Sequence, residues 1–158
     1  MNGVTCTAGL TVNPTSVTIK DVTCAPTSIL CGNTAVGKVD LSGKAPAGGV
    51  SIALTPTSGA AYTSGTVTVP EGEKSATFTI YTSVVTSDTA VTITASLGNS
   101  ASTTIIVEAP QLTNLTLSPA SVDGGDMSTG TVKIAKALSF DYAVPLNSIP
   151  PRPPCQRR

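Results

Sequence analysis

Residues 65–83 read GTVTVPEGEKSATFTIYTS, and the fold turns on this stretch. Val67 and Val69 alternate with Thr66 and Thr68, and Ala76, Phe78 and Ile80 alternate with Thr77, Thr79 and Tyr81. A period of two sets each apolar group on one face of a pleated strand and each threonine group on the other. Between the two runs, Pro70-Glu71-Gly72-Glu73-Lys74 has the composition of a polar turn. The stretch is expected to be a β-hairpin, with Glu71 and Glu73 as solvated turn charges rather than an acid–base couple.

The same period recurs on both sides. Residues 10–17 form a short strand broken by Pro14, which suits an edge or a switch between sheets. Residues 33–42 carry a strand with Val39 and Leu41 inward, and Val50, Ile52 and Leu54 make the next. Residues 56–64 read as a loop or weak edge strand. Val91, Ile93, Ala95 and Leu97 alternate with Thr92, Thr94 and Ser96. Gly98-Asn99-Ser100 is a tight turn, and Ile105 and Val107 close the set. About seven short strands, with turn signals roughly every 8–12 residues and no helical period, point to an all-β, immunoglobulin-like antiparallel sandwich. Tryptophan is absent, so the Cys…Trp…Cys pattern of antibody domains is not present.

Composition narrows the role. A chain of 158 residues holds one domain of about 100 residues and part of another. Charged residues make up 11%, with Lys+Arg and Asp+Glu equal at 9 each. No net field then steers nucleic acid or an anionic membrane, and neither partner is expected. No apolar run is long enough to span a bilayer, and residues 1–10 lack a signal-peptide pattern. Aromatics are only 3%, so the core must be Val, Ile, Leu and Ala. With no histidine, a Ser–His triad cannot form within the chain. No phosphate-binding glycine loop is present. The chain is expected not to be an enzyme and to hold no cofactor.

Four cysteines, Cys6, Cys24, Cys31 and Cys155, lack the spacing of a zinc site. A disulfide is the better reading in an oxidising compartment, with Cys24–Cys31 first and Cys6 with either as the alternative. The bland reading is small buried thiols. Asp123-Gly124-Gly125-Asp126 is more consistent with turn chemistry than with calcium. Asn114-Leu115-Thr116 fits a glycosylation sequon. Arg152, Arg157 and Arg158 read as a solvated basic tail.

An internal similarity divides the chain. Residues 115–122 match residues 10–17 at an offset of 105, and residues 125–134 match residues 32–41 at an offset of 93. The two offsets imply an insertion of 12 residues in the first copy, within residues 18–31. The expected organisation is a lead-in over 1–9, a sandwich over 10–109 and a linker over 110–112. An incomplete second repeat over 113–137 and a Pro/Arg-rich tail over 138–158 complete it. Leu115, Leu117, Val132 and Ile134 are the candidate assembly segment, because two or three orphan strands cannot form a core alone. Strand addition between subunits would complete them.

Ala45-Pro46-Ala47-Gly48-Gly49-Val50, residues 67–80 and residues 91–98 resemble tandem Ig-like repeats of bacterial and phage surface proteins. The resemblance covers residues 10–137. It implies an extracellular, cell-surface or virion location and a role in a filament, adhesin stalk or virion, by self-association or contact with neighbouring repeats. The competing expectation is an accessory carbohydrate-binding module of a larger secreted protein. Such modules stack exposed aromatics on sugars, and here Tyr62 and Tyr81 are the candidates.

Overall fold

The structure, a computed structural model, describes residues 16–147. The lead-in with Cys6, the strand expected around Pro14, and the tail with Cys155, Arg152, Arg157 and Arg158 lie outside the described residues. Among the described residues there are strands and no helix. In chain order they are β1 (Ile19–Ala25), β2 (Ser28–Leu30), β3 (Thr34–Leu41), β4 (Val50–Pro56), β5 (Ala61–Tyr62) and β6 (Thr66–Val69). Then come β7 (Ser75–Thr82), β8 (Thr89–Leu97), β9 (Asn99–Glu108), β10 (Leu112–Ser118) and β11 (Thr129–Ile134).

Strands β1 to β9 make two sheets, one in the order β1-β3-β7-β5 and the other β2-β9-β8-β4-β6. Pairing is antiparallel throughout except between β2 and β9, which run parallel. Each strand presents every second side chain to a common apolar cluster. Val39, Leu41, Phe78 and Ile80 enter it from one sheet, and Ile52, Val69, Val91, Ile93, Ile105 and Val107 from the other. The two sheets therefore share one β-sandwich-like core. Each fully buried side chain of this kind contributes about 1.5–3 kcal/mol relative to exposure. Threonine at the intervening positions keeps the outer faces wet while its β-branch suits the pleat.

Residues 65–83 are strand, turn and strand as expected, but not a hairpin. Thr66–Val69 pairs with β4 in the five-stranded sheet, whereas Ser75–Thr82 pairs with β3 and β5 in the other. The polar turn arches from one sheet to the other. The end of β3 and the loop after it hold it there: Leu41 N donates to Lys74 O at 2.7 Å, and Gly72 N donates to Ala45 O at 3.0 Å. Alternation says which face of a strand is apolar, not which strand lies beside it. A five-residue link spans the roughly 10 Å between facing sheets as readily as it closes a hairpin.

The first body has nine strands rather than about seven. The two extra ones are short. β2 has 3 residues and lies parallel to the end of β9. β5 has 2 residues and forms the sheet edge within residues 56–64, the stretch expected to be a loop or weak edge strand.

The last two strands form a separate two-stranded sheet. Its register repeats that of β1 and β3. Ile19↔Leu41, Val22↔Val39 and Cys24↔Gly37 correspond to Leu112↔Ile134, Leu115↔Val132 and Leu117↔Gly130. The pairing slips at the same place, between Ile19 and Asp21 and between Leu112 and Asn114. Peptide bonds Ala25–Pro26 and Ser118–Pro119 are both cis. One constant step of 93, as from Ile19 to Leu112, relates the two pairs, so the expected 12-residue insertion disappears. Residues 22–29 resemble residues 10–17, each reading apolar-Thr-apolar-x-Pro-Thr-Ser-apolar. Either could be aligned with residues 115–122 by sequence, and the strand register selects 22–29.

Candidate interaction surface

The β10–β11 sheet has one apolar face. Leu112 lies opposite Ile134, Leu115 opposite Val132, and Leu117 opposite Gly130. Thr113, Thr116, Thr131 and Lys133 alternate with them. In β1 and β3 the equivalent positions are buried beneath the opposite sheet. Here Leu112, Leu115 and Leu117 are 53%, 54% and 57% exposed, and Val132 and Ile134 are half-buried. The structure thus brings the four residues of the expected assembly segment onto one face.

Gly130 leaves a notch in that face. At the matching position in the first body, the Phe78 ring lies so close over Gly37 that a β-carbon there would overlap it. A β-carbon on Gly130 would meet only Leu117 Cδ2, at 3.6 Å.

The short sheet is tethered to the first body at its near end. Lys136 pairs with the Glu108 carboxylate, and Ser28 Oγ donates to the same group. The Lys136 hydrogen bond first, and the Ser28 hydroxyl second, hold the Glu108 carboxyl below the usual carboxylate range. Ala109 N donates to Asp88 Oδ1 at 2.8 Å, and Ala135 N to Gln111 O at 2.9 Å. Beyond β11 the chain turns back toward the first body. Ser139 Oγ donates to Asn33 Oδ1 at 3.3 Å, and the Phe140 ring covers Gly32. A cavity of about 180 Å³ lies at this joint, lined by Leu30, Glu108, Pro110, Gln111, Ala135 and Lys136 among others.

The other candidates are dispersed. Cys24 and Cys31 are separate buried thiols rather than a bridge. Cys24 Sγ lies 3.5 Å from Thr104 O, whereas Cys31 N donates to Glu108 O. Those two points on β9 are four residues, or about 13 Å, apart along the strand, well beyond the roughly 7 Å a disulfide spans between α-carbons. Tyr62 and Tyr81 are cross-strand partners on the outer face, with ring centroids 5.3 Å apart and planes at 17°. They are 50% and 43% exposed. Asp123 and Asp126 share a turn, with Asp126 N donating to Asp123 O at 3.1 Å. Glu71 accepts from Gly48 N at 3.2 Å. Asn114 of the sequon is exposed on β10. Among the described residues no three His, Cys, Asp or Glu side chains cluster as a metal site would require.

Sequence reasoning passed over Leu112, Gly130, Glu108 and Phe140. Leu112 falls out of phase with Leu115 because the pairing slips between Leu112 and Asn114, so a strict period of two omits it. A step of 93 from Ile19 would have found Leu112, and the same step already relates Gly130 to Gly37, though not the ring that covers Gly37. Nothing local marks Glu108 or Phe140, whose roles arise from residues far away in the chain. No protein-family model matches the chain, and no curated protein matches it as a relative.

Proposed function

We propose that the chain is a non-catalytic structural module: an Ig-like sandwich followed by the opening strands of a second, acting at an extracellular or virion surface through contacts between copies. The observation that carries this reading is the β10–β11 pair, which repeats the register of β1–β3 yet leaves its apolar face bare. The strand order supports the Ig-like part. β1-β3-β7-β5 against β9-β8-β4 follows the A-B-E-D against G-F-C arrangement of Ig sandwiches. In a filament or adhesin stalk such units work by stiffness and by the faces they offer neighbours, so a bare apolar face is a joint rather than a reaction centre. Negative-stain electron microscopy of the purified chain tests the reading. Particles joined copy to copy are expected, and dispersed single particles at high concentration would contradict it.

The exposed Tyr62–Tyr81 stack favours a second reading, an accessory module that stacks on sugar rings. A soluble-glycan screen followed by tyrosine fluorescence decides this one. Binding lost in Tyr62→Ala and Tyr81→Ala would support it, and no binding to any glycan would remove it.

A further inference from the structure

We propose that the apolar face of β10–β11 is covered by the same face of a second copy, making a closed, two-fold pair. This inference rests on the assembly reading above and names the surface and partner that reading leaves open.

The first body shows what such a face needs. Ile19, Val22, Val39 and Leu41 sit against a facing sheet whose own apolar side chains complete the core. Leu112, Leu115, Val132 and Ile134 occupy the same register and, among the described residues, have no facing sheet. The chain's own second sheet cannot turn to serve them, because β1 and β3 already cover it. Nor can β10 take the place of β1 in its own molecule. β1 begins beside Asn99, whose amide clamps Ile19 at 2.9 and 2.8 Å. β10 instead starts just beyond Glu108, at the far end of β9 and about 30 Å away. Three linking residues reach only about 14 Å.

A second β10–β11 face meets these limits without displacing anything. Its three rows are self-complementary under a two-fold axis, as an isologous contact requires. Together the two faces bury on the order of 1,000 Å², the lower end for a specific contact. Formal net charge is +0, so no bulk repulsion opposes pairing.

Light scattering on the size-separated 158-residue chain, from micromolar to near-millimolar concentration, tests the pair. The expected result is a reversible step from 15.8 kDa to twice that mass and no further. Leu115→Asp and Leu117→Asp should each weaken pairing about tenfold or more. Both should leave the melting temperature of the dilute monomer unchanged, because these side chains are exposed in it. An open ladder of larger species would overturn the closed pair while sparing the assembly reading, since free strand edges would then be in use. A dimer indifferent to Leu115→Asp and Leu117→Asp would likewise overturn it. A monomer at every concentration would sink both.

Discussion

β1–β3 and β10–β11 share a register, a slip in that register and a turn containing proline, yet one pair is buried and the other is bare. The comparison separates two things that a sequence pattern mixes. Alternation builds a ladder with an apolar face, and the ladder then depends on something to cover that face. Val39 is 0% exposed because Ile93 and Ile105 belong to the sheet that faces it, not because of the strand it sits in. Val132, its counterpart on β11, has no such cover among the described residues and is half-buried. A two-stranded sheet in this state is marginal in water, whereas nine strands around one core are not.

Matched substitutions should expose the difference. The largest contrast is expected between Leu41→Ala and Ile134→Ala. Leu41 is 3% exposed, so its loss should cost the sandwich roughly 2–5 kcal/mol. Ile134 should cost the same transition less than about 0.5 kcal/mol. Calorimetric or chemical unfolding of both variants measures this, and equal losses would break the comparison.

Next is the glycine pair. Gly37→Ala forces a β-carbon into the Phe78 ring, an overpacking worth about 1–3 kcal/mol. Gly130→Ala meets only Leu117 at 3.6 Å and should be neutral within about 0.5 kcal/mol. The same unfolding curves report it.

A third contrast concerns the clamp at the start of β1. Asn99 accepts from Ile19 N and donates to Ile19 O. Asn99→Ala should therefore cost about 1–2 kcal/mol, the loss of two partly buried hydrogen bonds. Faster amide exchange across β1 than across β3 would localise the damage.

The smallest effect is electrostatic. The Glu108 carboxyl is held below its ordinary range in the folded chain, first by Lys136 and then by Ser28. Its contribution is therefore present above the unfolded carboxylate pKa and fades as pH falls through the lowered folded value. Acidification through the carboxylate range should loosen the joint between the first body and β10–β11. Lys136→Met should flatten that dependence. Amide exchange of Ala109 and Gln111 against pH measures it, and an identical pH profile in the variant would remove Glu108 from the account.

Much of the fold was legible because Thr–apolar alternation is dense and regular. β3, β4, β7, β8 and β9 fall where Val39, Ile52, Ile80, Ile93 and Ile105 predicted, each facing inward. The turn at Gly98 was legible too, since it joins two runs of the same period and has positive φ of 69°. What escaped was strand partnership. The link between Val69 and Ser75 looks the same whether it closes a hairpin or arches between sheets. β2 escaped because 3 residues carry no period. In the candidate surface, Leu115, Leu117, Val132 and Ile134 were legible from the internal similarity. Leu112 was hidden by the wrong offset, whereas Gly130 lay inside the matched residues 125–134 and only the Phe78 ring over its counterpart Gly37 reveals what it does. Glu108 and Phe140 matter only through partners 28 residues on (Lys136) and more than 100 residues back (Gly32), a relation no local pattern encodes.

Native-state hydrogen exchange in dilute solution tests the central claim most directly, by comparing the amides of Thr34–Leu41 with those of Thr129–Ile134. Because the two strands share a register but not a cover, β3 should exchange only with global unfolding. β11 should exchange orders of magnitude faster, and slow down when the chain is concentrated. Equal protection of the two strands in the dilute chain would contradict the account.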